Sequence, residues 1–474
     1  LPDGTFTKVE FSAWAQMNYD ANDTVMDSQW YIDNGSPDPN SPEPNDPNER
    51  AAWLAAKHYD TPQTVEYDLL GRPFLTEDDN GEFGTYAVKN ELDILGNIKT
   101  VTDAKDRDIT VNMFDLTGAL IRTDNVDSGT RYVFADVVGK PIIKVYNALN
   151  GNSSFTEQNS EHNNITIHQY DELQRPTITT LIKDTAEEYI TEKIVYGTAD
   201  TYNQNGKPIE QYDQSGAMFF NEYDFKGNPL STTKRICEDY INILDWYVLP
   251  AFTPDEYKNL IRYDALNRVT EKTEPDNSVI QNMYNKTGLL WAIQVDHKGT
   301  GGFATYVNNI IYNARLQRID IYYGSNSKTH YTYDDNNFRL TRLLSTRNSG
   351  QDILQDLNYY YDPQGNITQI RDDAQQTFYF NNSVIEPENK YEYDALYRLL
   401  KATGRELIGL AQMGHEDFLN NIPLPGDGTA LQNYTHTYQY DELGNIMEMS
   451  SLGNWNKEYI YKLDKNYLTR HAHG

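Results

Sequence analysis

The sequence is nearly empty of cysteine. Cys237 is the only one in 474 residues, so an intrachain disulfide is excluded and stability has to come from packing and strand pairing. One thiol does not decide the compartment, because exported proteins also avoid cysteine. Long apolar runs are missing too. No stretch approaches the roughly 20 residues that a membrane-crossing helix needs. Positive charge is short: 40 basic against 70 acidic residues leave a formal charge of −30. Nucleic acid is a poor partner for such a chain, since its affinity rests on cations that neutralise phosphates, and anionic membrane surfaces are disfavoured for the same reason. The chain opens Leu1-Pro2-Asp3-Gly4, with no initiator Met and no signal peptide. It is read as an excerpt or processed piece of something longer.

Tyrosine is abundant, with 37 copies. Its ring suits a half-buried pleated surface while its hydroxyl stays wet or bonded. Much of it falls in one short pattern: an aromatic residue, Asp or Asn, two free positions, often Gly, then Arg, Asn or Lys, then an apolar residue or Pro. Clear copies start at Tyr67 (with Asp68 and Gly71), Tyr170 (Asp171), Tyr223 (Asp224, Gly227), Tyr263 (Asp264), Tyr361 (Asp362, Gly365), Tyr393 (Asp394) and Tyr440 (Asp441, Gly444). Weaker ones start at Leu92 (Asp93, Gly96), Phe114 (Asp115, Gly118), Tyr212 (Asp213, Gly216) and Tyr284. Tyr312 and Tyr333 begin variants, and the copy at Phe134 carries an extra residue.

Successive copies recur at intervals of 20 to 22 residues wherever the array is regular. That period accommodates two strands and two short turns and is too short for a βαβ unit. The motif has hairpin chemistry. Asp at the first turn position accepts hydrogen bonds from the chain just ahead, and the Gly three residues later supplies the positive φ of a type I turn with a bulge. Asn267 and Asn337 are the tolerant substitutes for that Gly; Gln174, Leu316 and Tyr397 suit it less. The aromatic is expected to pack across the strands at the hairpin end and hold register. The fold class expected is all-β: tandem antiparallel hairpins in a curved or spiralling strip, with one or two short helices.

With these residues in view, the chain resembles the RHS/YD-repeat family. It is most similar to the repeat region of the B component of insecticidal toxin complexes (Tc toxins) with SpvB-type N-terminal regions. Three further stretches sharpen the likeness: Tyr19 to Val25 with Asp27 to Tyr31, Tyr263 to Arg268 after Trp246, and Gly404 to Glu406 leading through Pro423 to Asp427 and on to Asp441. The resemblance implies a hollow β-hairpin shell, or part of one, around a toxic C-terminal polypeptide, in a secreted or cell-surface protein. Its partners would be that cargo and other toxin-complex or secretion-apparatus subunits. The family's paired Asp-Pro self-cleavage elements are absent, since Asp362-Pro363 continues as an ordinary repeat; cleavage and cargo would then lie downstream. An adhesion or carbohydrate-contact strip is the alternative.

Residues 1–66 are expected to form an entry segment and 67–474 the repeat region, with insertions near 236–260 and 404–430. In the entry segment, Asn34 to Asn48 reads as a flexible loop. Pro47 to Lys57 reads as a helix capped by Asp46, packed on the first hairpins. Thr253-Pro254-Asp255-Glu256 resembles another helix start. No catalytic, cofactor or metal site is expected. Cys237 has no nucleophile motif around it. Gly414-His415-Glu416 lacks the second His of a zincin, and His471 and His473 lack further ligands. Lys298 to Gly302 lacks a Walker Lys-Ser and reads as a hairpin loop. The acidic groups at Asp20 to Asp23 and Asp78 to Gly81 match no EF-hand and read as solvated turns.

Overall fold

A computed structural model describes residues 1–147, 163–183, 187–380, 383–407, 431–452, 455–462, 466 and 468–473. Among these residues the chain is all-β, with two short helices, and it divides into two compact units. Residues Leu1–Val111 and Lys328–Gly474 form the first, and Asn112–Ser327 the second.

In both units each strand pairs antiparallel with the strand before it and the strand after it, as a chain of linked hairpins does. In the first unit this holds from Lys8–Phe11 through Ala15–Tyr19, Gln63–Tyr67, Pro73–Asp79 and Thr85–Leu92 to Ile98–Thr102. It holds again from Lys328–Tyr333 to Leu468–His473, with one small hairpin, Phe378–Phe380 with Ser383–Ile385, set aside from the ladder. The second unit repeats the pattern from Leu120–Asn125 to Arg318–Tyr323. The register slips at the aromatic of most motif copies. Glu66 faces Leu75, for example, yet Tyr67 faces Pro73, which places a one-residue bulge just after the turn.

Strand residues are mostly half-buried, so the ladders are not wrapped around a thick apolar core. Among the described residues two small clusters exist instead. In the first unit, Val25, Tyr31, Ala52, Ala55 and Ala56 pack together. In the second, Ala217, Cys237, Leu244 and Trp246 do so.

The entry segment departs from expectation in several ways. Helix α1, Gln29–Asp33, is capped by the Ser28 hydroxyl and was not anticipated. Helix α2, Pro47–Ala55, starts at Asp46, whose carboxylate accepts the Asn48 and Glu49 N–H groups; a 3-10 turn, Ala56–His58, then ends it. Its partners are not the first hairpins. Arg50 lies under strands 300 residues and more away, donating to Thr368 O at 2.8 Å. The loop from Asn34 is ordered rather than slack: Tyr31 donates to Pro37 O, the Trp53 indole to Ser41 O at 3.1 Å, and Arg50 pairs with Glu43. Thr253 to Glu256 is not a helix but part of strand Phe252–Tyr263. Ladder pairing with Pro229–Cys237 outweighs a local capping signal that has no apolar helical face behind it. Residues 408–430, including the Pro423 to Asp427 stretch and His415, lie outside the described residues.

Candidate functional site

The motif residues converge on one device. At the first copy, Asp68 Oδ1 accepts the N–H groups of Leu70 and Arg72 at 2.8 and 3.0 Å, and Oδ2 accepts Arg72 Nε at 2.8 Å. Backbone bonds from Gly71 N to Asp68 O and from Asp68 N to Arg72 O close the turn. Asp93, Asp171, Asp224, Asp264, Asp362, Asp394 and Asp441 repeat this arrangement, with Asn or Arg four residues on. Asp115 lacks the side-chain donor four residues on, because Ala119 has none to offer, and takes the Thr117 hydroxyl at 2.7 Å instead. The side-chain bond from Arg72 holds the Asp68 carboxyl below the usual carboxylate range, and Arg175 and Arg268 do the same for Asp171 and Asp264.

The slot three residues after Asp takes positive φ whatever occupies it. Gly71 has φ 73°, Gly96 92°, Gly118 83°, Gly227 97°, Gly365 111° and Gly444 84°, while Gln174, Asn267, Leu316 and Tyr397 sit at 63° to 66°. Two sequence readings need correction here. In the copy at Tyr333 the slot belongs to Phe338 and not to Asn337, because the turn is one residue longer and Phe338 N bonds Asp334 O. The copy near Phe134 has no extra residue: Asp136 and Gly139 make an ordinary turn, and Ala135 stands where the aromatic usually does. The Tyr212 copy is a different turn altogether. Asp213 pairs directly with Gly216 across a two-residue connection. Gly216 is needed there because a Cβ would lie 2.0 Å from Arg235 O on the neighbouring strand.

The aromatic does more than hold register. In many copies its hydroxyl reaches back to the carbonyl just after the preceding turn. In the second unit Tyr170 donates to Pro141 O at 2.9 Å, Tyr223 to Pro208 O at 2.6 Å, Tyr284 to Val269 O at 2.9 Å and Tyr312 to Leu290 O at 2.6 Å. In the first, Tyr361, Tyr393 and Tyr440 bond Leu340 O, Ile367 O and Leu399 O at 2.8 to 2.9 Å. The basic residue after the turn reaches forward in return. Arg72 donates to Asp93 O, Arg175 to Gly206 O, Arg339 to Asp362 O and Arg398 to Asp441 O, at 2.8 to 3.0 Å. Arg175, Arg268 and Arg398 also lie over the rings of Tyr196, Tyr284 and Tyr440, a cation–π contact. At Tyr196, Tyr361 and Tyr440 both side chains act, so each of these turns is tied to the preceding one in both directions. The tie at Tyr196, across the longer loop to Lys207, was missed in the sequence because its Asp is displaced. The one visible signal for the lock was the use of Tyr rather than Phe in most copies.

In the first unit three of these turns carry a further contact. The Asn22 amide donates to Asp362 Oδ2 at 2.9 Å, Asn80 to Asp394 Oδ2 at 3.3 Å, and Lys105 pairs with Asp441 at 2.6 Å. Arg107 donates to Asn466 at 2.7 Å, His58 Nε2–H to Tyr393 O at 3.0 Å, and the Tyr397 hydroxyl to the Asp20 carboxylate. The entry segment and first hairpins thus clasp the turns of hairpins more than 300 residues later. Asp362, Asp394 and Asp441 are buried here, whereas Asp68 and Asp264 remain partly open. Burial next to Asp20 pushes the Asp23 carboxyl up to about 6, and burial holds His58 down despite its carbonyl partner. Tyr397, strained at positive φ, is retained where its hydroxyl has this work to do.

Among the described residues reactive groups are not gathered. Cys237 is buried, and desolvation pushes its thiol up, away from the nucleophilic thiolate. Lys298 to Gly302 is a tight turn held by Asp296, which accepts the Thr300 and Gly301 N–H groups. Asp20 and Asp23 are engaged by backbone and hydroxyl donors. Among the described residues no group of three or more His, Cys, Asp or Glu side chains is placed to hold a metal ion.

No protein-family model matches the chain. In sequence it is 30% identical over 416 residues to the toxin subunit YenC2 of Yersinia entomophaga and 28% identical over 351 residues to YenC1 of the same organism. These alignments cover 83% and 70% of this chain but only 41% and 34% of the relatives, so the chain spans well under half their length. In structure it superposes on the Tc holotoxin pore of Photorhabdus luminescens with a TM-score of 0.83 and 24% identity, over 99% of this chain and 21% of that one. A crystal structure of TcdB2-TccC3 gives 0.82 and 24%, over 98% and 22%.

Proposed function

Because this chain is a homologue of the toxin subunits YenC2 and YenC1 and has the RHS-type β-hairpin fold of the Tc toxins, we propose that it is a non-catalytic wall segment of a secreted toxin complex that encloses or presents a toxic C-terminal polypeptide. Residues 1–66 serve as the entry segment and 67–474 as the repeat region, with insertions near 236–260 and 404–430. Its partners are that polypeptide and other subunits of the complex or of its secretion apparatus.

The observation that carries the reading is the two-way tie between successive turns. A wall cannot rely on a thick apolar core, because a sheet that faces a wet interior hides little surface. Its edges must be held by directional bonds instead, and the Tyr hydroxyl, joined at some turns by the Arg fork, supplies them at many repeats. The clasp of Asn22, Asn80 and Lys105 on Asp362, Asp394 and Asp441 adds a second kind of edge contact.

The test is protease protection. The chain is produced with its natural downstream sequence and digested alongside the downstream polypeptide alone. Under this reading the attached polypeptide survives while the wall is intact and becomes sensitive when Asp394→Ala loosens the clasp. Equal digestion of attached and free polypeptide overturns it.

A further inference from the structure

Residues 238–251 join strand Pro229–Cys237 to strand Phe252–Tyr263 in the second unit, and they are not slack. The Trp246 indole donates to Asp213 O at 3.1 Å and its backbone N–H to Ile190 O at 2.9 Å. The Asp245 carboxylate accepts the N–H groups of Ile190 and Tyr247. Gln214 brackets Leu244, accepting its N–H at 2.9 Å and donating to its carbonyl at 3.0 Å. Leu244 and Trp246 are buried with Ala217 and Cys237, and the rings of Trp246 and Tyr212 lie 4.6 Å apart. On the other limb, Asp239 holds the N–H groups of Ile241 and Asn242. Around these anchors Tyr240, Ile241, Tyr247, Val248 and Leu249 stand between 68% and 88% exposed.

A pinned backbone that holds five large apolar side chains in water has already lost the entropy that binding would remove. Rigid aromatic side chains presented this way are the usual anchors of protein interfaces. We infer that residues 238–251 form a preorganised knob that inserts Tyr240, Ile241, Tyr247, Val248 and Leu249 into an apolar groove with a basic rim on another protein subunit. The rim follows from charge. Glu238, Asp239 and Asp245 flank the apolar side chains, no Lys or Arg lies between Cys237 and Tyr257, and the chain as a whole carries −30. An anionic lipid surface is repelled by that charge, and a second copy would bring like charges together. A groove edged with Lys and Arg is drawn to it.

The inference rests on the reading above for where the partner is found, namely the other subunits of the toxin complex. The full chain is immobilised, and each other subunit of its complex is titrated at low and at high salt. Wild type is compared with the double variant Tyr247→Ser/Leu249→Ser and with a control, Leu69→Ser/Leu70→Ser, whose side chains are equally exposed at a turn of the first unit. Thermal unfolding verifies that all three are folded. Hydrogen exchange of residues 240–249 is followed with and without the subunit, which needs no variant. The expected result is a loss of affinity of about tenfold or more in the double variant only, weaker binding at high salt, and slowed exchange on assembly. Unchanged affinity with unchanged exchange overturns the inference. So does a double variant whose only defect is lost binding to phosphatidylglycerol vesicles or lost self-association. A wild-type chain that binds no subunit overturns the proposed function as well; a wild type and double variant that bind equally overturn this inference alone.

Discussion

Replacing Asp394 by Ala tests whether the clasp strengthens a turn that the motif already builds. Asp394 accepts the N–H groups of Leu396 and Arg398 at 3.1 and 2.8 Å, Arg398 Nε at 2.6 Å and the Asn80 amide at 3.3 Å. Its side chain is fully shielded and that of Arg398 nearly so, at 0% and 17% exposure. Removing one partner of such a pair strands the other charge, which costs about 3 to 5 kcal/mol. Arg398 retains its bond to Asp441 O, so the lower end is expected. A local opening cheaper by about 3 kcal/mol corresponds to exchange roughly 150-fold faster. The same change at Asp264, whose side chain is partly open, removes an identical turn network in water and should have a clearly smaller effect. Native-state hydrogen exchange reads both sites separately, which matters because a chain of two compact units need not unfold in one step. Equal acceleration at the two turns would refute the idea that the clasp, rather than the turn alone, makes Asp394 important.

The hydroxyl lock predicts that Tyr440→Phe, which leaves Leu399 O without its 2.9 Å partner, destabilises the surrounding hairpins by about 1 kcal/mol; a double-mutant cycle with Arg398→Lys should show coupling. Hairpins that begin at Leu92, Phe114 and Ala135 have no hydroxyl at that position, and their amides should exchange faster than those at Tyr361, Tyr393 and Tyr440. The entry segment should respond to pH. Asp23, raised to about 6 in the fold from an ordinary 3.8, contributes stability that is present below 3.8 and fades as pH climbs through 6. His58, lowered in the fold, contributes stability that is present above 6.5 and fades as pH falls. Asp23→Asn should therefore flatten the decline between pH 4 and 6 while leaving the acid-side loss; melting curves across that range check it.

The local grammar of the chain was readable before any coordinates. Asp68 with Gly71, or Asp362 with Gly365, bends the backbone whatever surrounds it, because a carboxylate two residues from an amide and a residue free to take positive φ act within one turn. The capped helix at Pro47 was readable for the same reason. What failed locally failed where a partner strand decided: Thr253 to Glu256 has a helix-start pattern, but Pro229–Cys237 offers it a ladder, and the glycine at 216 answers to Arg235 O as well as to the positive φ of its own turn.

The bonds that make the strip cohere belong to tertiary structure. Tyrosine at the motif's head could be read as a packing residue; only its placement beside the previous turn turns the hydroxyl into a tie to Pro141, Leu290 or Ile367. The distinction between Asp394 and Asp264 is invisible in the sequence, since both stand in the same words of the repeat. It arises because Asn80 arrives from more than 300 residues upstream. Covalent neighbours set which way each turn bends, whereas burial, and with it the strength of each carboxylate's bonds, depends on segments that the chain brings back from far away.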